Sequence, residues 1–340
     1  KLCPDQSNLM EIIRSGLSEF RKTLDSLQES EKIILKPNIL PTEFRNEGLA
    51  VTNPRICGII ADILTELGFE EIILAEGTTN NREGAPNTLE GMKNNGFCEP
   101  RYLNKWTLFD MNEDEVDKWF ELYSPGDEGN LDDPFDIELG LSRVATSYPI
   151  ISCAKFKAHD VLGLTLSVKN LMGCLSKARR RSTGEILHEG PLVKAYMHGF
   201  GPKNPSRLTE EQNVSTSKTA LAINLSRMAK HLIPSFSVLD AAPAMEGNGP
   251  LSGSPSEMNL ILCSGDSVAL DAIACRLVGV DLNYNQYIKN LARLGLGVAE
   301  PKMIDLINED LPQEMDFKFH ERFSHSKFKD SEIQLLKELG

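Results

Sequence analysis

Local cysteine pairing is absent from this chain. Its seven cysteines stand at 3, 57, 98, 153, 174, 263 and 275, and none forms C-x-x-C. That spacing carries no signal of a four-cysteine iron–sulfur cluster. An odd, dispersed set in apolar surroundings reads as reduced core thiols, hence a cytoplasmic type of compartment. No apolar run approaches the roughly 20 residues of a membrane span. The first residues, Lys1-Leu-Cys-Pro, carry no signal-peptide core, although the missing initiator Met leaves room for a processed N-terminus. G-x-S-x-G, H-E-x-x-H, the P-loop and a strand-linked G-x-G-x-x-G are all missing. So are repeats and low-complexity tracts. Net basicity is lacking too: at −13 the chain is poorly suited to nucleic acid, which needs an extended basic face.

Against that acidity, one stretch is strongly basic. From Cys153 to Arg181 seven Lys/Arg face one Asp, a local charge of +6. Within it, Lys155, Lys157, His159, Lys169 and Asn170 interrupt sequence apolar enough to be core. A lysine among apolar residues must snorkel to water or meet an anion, because a buried unpaired ammonium is costly. The expectation is a pocket for a small anionic ligand.

At 340 residues the chain has ample material for a core and reads as one large α/β domain. Residues 31–36 and 71–75 read as strands around a helix that Asn53 caps and Pro54 opens, running to Gly68. Strand, helix, strand at this spacing gives a parallel sheet flanked by helices. Residues 82–148 are expected as an irregular insertion, with a helix near 87–95, strands near 107–110 and 119–123, and an acidic solvated loop at 125–134. Residues 149–155 read as a strand, 165–172 as a helix, 179–215 as a mobile basic segment. Further along, 217–232 is a helix and 235–239 a strand ending in Asp240. Then come a Gly-rich loop at 247–253, a strand at 258–263, a helix from the Asp266 cap to Val278, a helix at 283–295 and a peripheral part at 305–340.

The candidate residues follow from the ends of those strands, where open α/β sheets bind ligands. Lys157 and His159 share a face by the period of two. With Lys169 they are the catalytic candidates. Lys36, Asn38 and Asn170 would orient the ligand, and Gly247 and Gly249 could offer backbone N–H groups to an anion. His159 with Glu76 and Asp240 has the donor types of a mononuclear divalent-metal site. Asp271, inside an apolar helix, calls for a partner, with a lysine the natural one.

Several of these segments occur together in one family: Lys36-Pro37-Asn38, Thr52-Asn53-Pro54, Lys157-Ala-His159, Thr165 to Gly173, Asp240 with Glu246-Gly-Asn-Gly-Pro250, and Ser264-Gly-Asp266 with Asp271. Taken in order, they resemble domain-of-unknown-function family 362. The resemblance implies a mainly cytosolic α/β family of bacteria and archaea. Many of its members carry an appended ferredoxin-like segment with two four-cysteine clusters. This chain has no such cysteine runs, so no iron–sulfur cluster is expected from it. The leading functional expectation is a small-molecule enzyme or anion-binding protein without nucleic-acid or membrane partners. The alternatives are a metal- or iron–sulfur-dependent redox protein with a redox partner, and a non-catalytic binding module.

Overall fold

Strands rich in Ile and Leu build the centre of the molecule. The computed structural model describes residues 6–19, 30–40, 49–79, 87–124, 136–199, 210–307, 314–323 and 328–340. β1 (Lys32–Pro37), β2 (Glu71–Glu76), β3 (Thr107–Asp110), β6 (Ile150–His159) and β10 (Phe236–Glu246) pair in the spatial order β3-β2-β1-β6-β10, every neighbour parallel. β12 (Leu260–Ser264) and β11 (Ser254–Ser256) add antiparallel pairs to β10, and β7 (Gly163–Thr165) folds back on the end of β6. After β1 the chain builds β2 and β3 on one side, then returns to lay β6 and β10 on the other. The strand order therefore reverses between β1 and β6, and such a reversal leaves a crevice at the carboxyl ends of the two strands.

Alternation along the strands feeds two cores. Ile33 and Leu35 of β1 join Ile13 and Leu17 of α1 (Gln6–Glu19) and Ile56, Ile60 and Leu64 of α2 (Pro54–Glu66). Ile34 faces the opposite core, with Leu221 and Leu225 of α5 (Glu210–Ala229), Ile273 of α6 (Ser267–Leu277) and Leu291 of α7 (Gln286–Arg293). Among the described residues no helix is long and apolar enough to cross a membrane.

The insertion and the basic segment turn out to be parts of one unit. α3 (Thr88–Asn94) and β3 belong with the main sheet, while β4 (Val116–Glu121) and β5 (Ile137–Ser142) pair antiparallel with β8 (Leu175–Arg180) and β9 (Ile186–Glu189) in a second sheet. The basic stretch is ordered because its residues alternate. Leu175 and Ala178 face the core, whereas Lys177 meets Glu189 at 2.8 Å and Arg179 meets Glu138 at 2.7 Å on the wet face. Beyond β9 a 3-10 helix, Gly190–His198, buries Val193, Tyr196 and Met197, so the excursion expected over 179–215 is packed structure as far as residue 199. Residues 200–209, and the acidic loop at 125–134, lie outside the described residues.

Three other expectations change. The helix anticipated at 165–172 is β7 followed by a 3-10 helix, Lys169–Cys174. The strand anticipated to end in Asp240 runs on to Glu246, with that carboxylate paired to Lys155 inside the sheet. Among the described residues no lysine meets Asp271: it accepts from Ser167 N at 2.9 Å, Ser167 Oγ at 2.5 Å and Val168 N at 3.2 Å, with Tyr287 Oη at 3.5 Å. The C-terminal part is less peripheral than expected, since α8 (Asp330–Leu339) buries Leu336 in the larger core.

Candidate functional site

At the carboxyl ends of β1, β2 and β6, Lys36 is fully buried and donates to Glu76 Oε1 at 2.8 Å and Oε2 at 2.9 Å. Glu76 also accepts from Gly77 N at 2.9 Å and Ile39 N at 3.3 Å, so its oxygens are engaged. Gly173 lies directly over this pair: a Cβ there would come within 1.8 Å of Glu76 Oε1 and 2.7 Å of Lys36 Nζ. On the neighbouring strands Lys155 donates to Asp240 Oδ2 at 2.9 Å. Asp240 accepts in addition from Asn53 N at 3.0 Å, which fixes the start of α2 to the sheet, and from Ala242 N at 3.1 Å. Lys36 and Lys155 are thus neutralised within the fold.

Lys157 is placed differently. Its ammonium donates to Asn38 Oδ1 at 2.6 Å and Ala50 O at 3.0 Å, both uncharged. The lysine fixes the Asn38 amide, whose Nδ2 then donates to Asn170 Oδ1 at 3.1 Å. Asn170 Nδ2 in turn donates to Lys36 O and Ser152 Oγ, each at 3.1 Å. One chain of bonds thereby joins β1, β6 and the 169–174 segment across the crevice. Burial, followed by repulsion from Lys169, pushes the Lys157 ammonium well below the usual lysine range.

His159 completes the edge. Its Nδ1 accepts from Val161 N at 3.1 Å and Leu162 N at 3.2 Å, which leaves the ring proton on Nε2. Asp160 Oδ1 stands 3.2 Å from the same Nδ1, but an accepting nitrogen makes no ion pair with a carboxylate. The ring of His198 stacks on that of His159 at 6.1 Å between centroids and 15° between planes. Burial, then Lys169 and His198, hold His159 well below its ordinary value, and burial with Lys169 pushes His198 down to about 4. Both rings are neutral at pH 7. Burial also pushes the partly buried Lys169 down to about 8, with Asp160 opposing.

The structure gathers Lys36, Asn38, Glu76, Lys157, His159, Lys169, Asn170 and Asp240 on one edge, but in different roles from those the sequence suggested. Glu76 and Asp240 are each held by a lysine, and among the described residues no group of three or more His, Cys, Asp or Glu side chains is placed to hold a metal ion. Gly247 and Gly249 do not present free N–H groups. Gly247 N donates to Lys318 O at 2.6 Å and Gly249 N to Gly247 O at 2.7 Å. Gly249 is needed for close packing, since a Cβ would lie 2.1 Å from Ala158 O. Described cysteines Cys57, Cys98, Cys153, Cys174, Cys263 and Cys275 are free thiols.

Sequence reasoning missed Lys194 and Asn112. Lys194 is buried, donates to Leu175 O at 2.6 Å and Gly190 O at 3.3 Å, and contacts Asn112 Oδ1. It adjoins the Lys36–Glu76 pair, because a Cβ on Gly77 would meet Gly173 O, Asn112 Oδ1 and Lys194 Nζ together. Burial pushes it down to about 7. The signal was a lone lysine in Leu192-Val-Lys-Ala-Tyr-Met197, the pattern that singled out Lys169. A groove of about 860 Å³ lies elsewhere, lined by Ala272, Arg276, Leu282, Lys289 and Met303 among others, and includes none of these residues.

Three comparisons bear on this edge. The model of a family described as "Domain of unknown function (DUF362)" matches residues 33–276, which contain every residue of the bonded edge. A relative in Synechocystis sp., a "Thylakoid-associated protein", is 25% identical over 347 residues, covering 98% of this chain and 93% of the relative. A crystal structure of a protein from Thermotoga maritima is similar at 10% identity with a TM-score of 0.42. That match covers 84% of this chain but spans only 58% of the other.

Proposed function

The chain belongs to the DUF362 family, and from the geometry of its strand ends we propose that it is a small-molecule protein, an enzyme or anion binder, whose ligand is an anion held between β1 and β6. One observation carries this reading. Among the described residues Lys157 and Lys169 have no carboxylate partner, whereas Lys36 and Lys155 at the same edge do. A protein of net charge −13 has carboxylates in excess, so leaving two sheltered ammonium groups unpaired is consistent with a place kept for an outside anion.

As an enzyme, its acid–base group would be Lys169 rather than His159. A lysine near 8 can exchange a proton around neutral pH, while His159 has its Nδ1 occupied and serves as a donor through Nε2. Asn38 and Asn170 position Lys157. The free thiols support a reducing, cytoplasmic setting for this chemistry.

Thermal unfolding of the full chain with a panel of small anions and matched neutral solutes tests the reading. Anions that bind the folded state raise the midpoint as their concentration exceeds Kd. The expected result is stabilisation by anions only, lost in Lys157→Met. No anion effect, or an undiminished one in the variant, overturns it.

A further inference from the structure

Resting on that anion site, the donors still unused at the edge narrow the ligand. An ammonium has three N–H bonds. Among the described residues Lys157 gives two of them, to Asn38 Oδ1 and Ala50 O, and keeps one. Lys169 gives none among the described residues. Among the described residues His159 keeps its Nε2–H, since Nδ1 is filled by two backbone N–H groups, and the ring of His198 lies parallel to its face. The acidic groups nearby offset these cations only in part, Asp160 acting on Lys169 through its charge. Glu76 and Asp240 are bound to Lys36 and Lys155. The side chain of Asp160 is 34% exposed and makes no ion pair with Lys157 or Lys169.

We propose that this edge binds the dianionic phosphate group of a phosphate monoester, with oxygens on Lys157 Nζ, Lys169 Nζ and His159 Nε2–H. Two ammonium groups and one neutral donor match a tetrahedral dianion in charge and in its three peripheral oxygens. A monocarboxylate has one charge and two oxygens and leaves one sheltered ammonium unmatched, which is costly. Lysine recognises phosphate as a point charge, and charge-assisted hydrogen bonds are about twice as strong as neutral ones. The donors come from two separate parts of the chain, β6 (Lys157 and His159) and the 3-10 helix that begins at Lys169, so the set exists only in the folded protein.

Calorimetry on the full chain at about pH 7, where monoesters are mostly dianions (second pKa about 6) and Lys169, near 8, is mostly protonated, decides the matter. The probes are methyl phosphate, inorganic phosphate and acetate. Methyl phosphate is expected to bind at least about tenfold more tightly than acetate, and Lys169→Gln to weaken it by about tenfold. Lys169→Arg should retain binding, and Lys177→Gln, on the wet face of the second sheet and paired with Glu189, should leave it unchanged; melting curves establish that each variant is folded. Acetate binding as tightly as methyl phosphate overturns the dianion while leaving the anion site standing. Binding of inorganic phosphate alone overturns the monoester. Absence of binding by all three overturns both this inference and the reading beneath it. The acetate comparison needs only the unaltered protein, so it stands even where a variant does not fold.

Discussion

Lys36 and Glu76 show what burying charge at this edge requires. Each side chain is almost wholly withdrawn from water, at 0% and 3% exposure, and neither could stay ionised alone. Removing one partner strands the other, which costs about 3–5 kcal/mol in comparable buried pairs, whereas removing both with apolar residues of similar volume is often neutral. Lys36→Met is therefore expected to lower stability by about that amount, and Lys36→Met with Glu76→Leu to recover most of it. Urea unfolding of the two variants and the parent gives the comparison. A single-variant loss below about 1 kcal/mol would mean that the pair is hydrated and contributes as a surface bridge does. Gly173 belongs to the same account, since the 1.8 Å approach to Glu76 Oε1 leaves no room for a side chain.

At the scale of elements, the 3-10 helix Lys169–Cys174 is held to the body of the protein from its N-terminal side by Asp271 of α6. Burial pushes that carboxyl up to about 7, against hydrogen bonds from Ser167 and Val168 that favour its charged form. Its folded pKa is thus raised above the ordinary carboxyl value of 3.8. The folded state then holds the proton more tightly than the unfolded state. The stability this confers is present below the unfolded value and is lost as pH rises through about 7. His198, pushed down to about 4, works in the opposite sense over an overlapping window, stability being lost as pH falls from 6.5 through that value. The readout is therefore the difference between the parent and Asp271→Asn. Between about pH 5 and pH 8 the parent should lose stability relative to the variant; a constant difference across that range contradicts the assignment.

Elements governed by local chemistry were legible in the sequence. The Asn53-Pro54 start of α2 and the Asp266 cap of α6 each rest on hydrogen bonds within three residues. β1 and β2 were legible because they are continuous apolar runs of buried parallel strands. What could not be read was pairing at a distance. Glu76 lies 40 positions from Lys36, and Asp240 lies 85 from Lys155. The sequence showed the basic residues gathered but not which of them the fold had already neutralised. That is why Lys177, Arg179, Arg180 and Arg181, all paired with glutamates, entered the same count as Lys157 and Lys169. Lys194 was lost to a misreading of its segment as an excursion.

At the scale of the whole molecule, net charge and local field have opposite signs. The chain carries −13, yet beside its strand reversal between β1 and β6 two lysines, Lys157 of β6 and Lys169 of the 3-10 helix, have no carboxylate partner among the described residues. Low-dielectric walls focus such a field, so an acidic protein can still draw a small anion into one crevice while repelling extended polyanions. The most direct measurement is a crystal of the full chain soaked in selenate, a tetrahedral dianion located by its anomalous signal. The account predicts an anomalous peak in hydrogen-bond contact with both Lys157 Nζ and Lys169 Nζ. Selenate found only on the outer face of the second sheet, or absent from the carboxyl edge of β1 and β6 at saturating concentration, would contradict it.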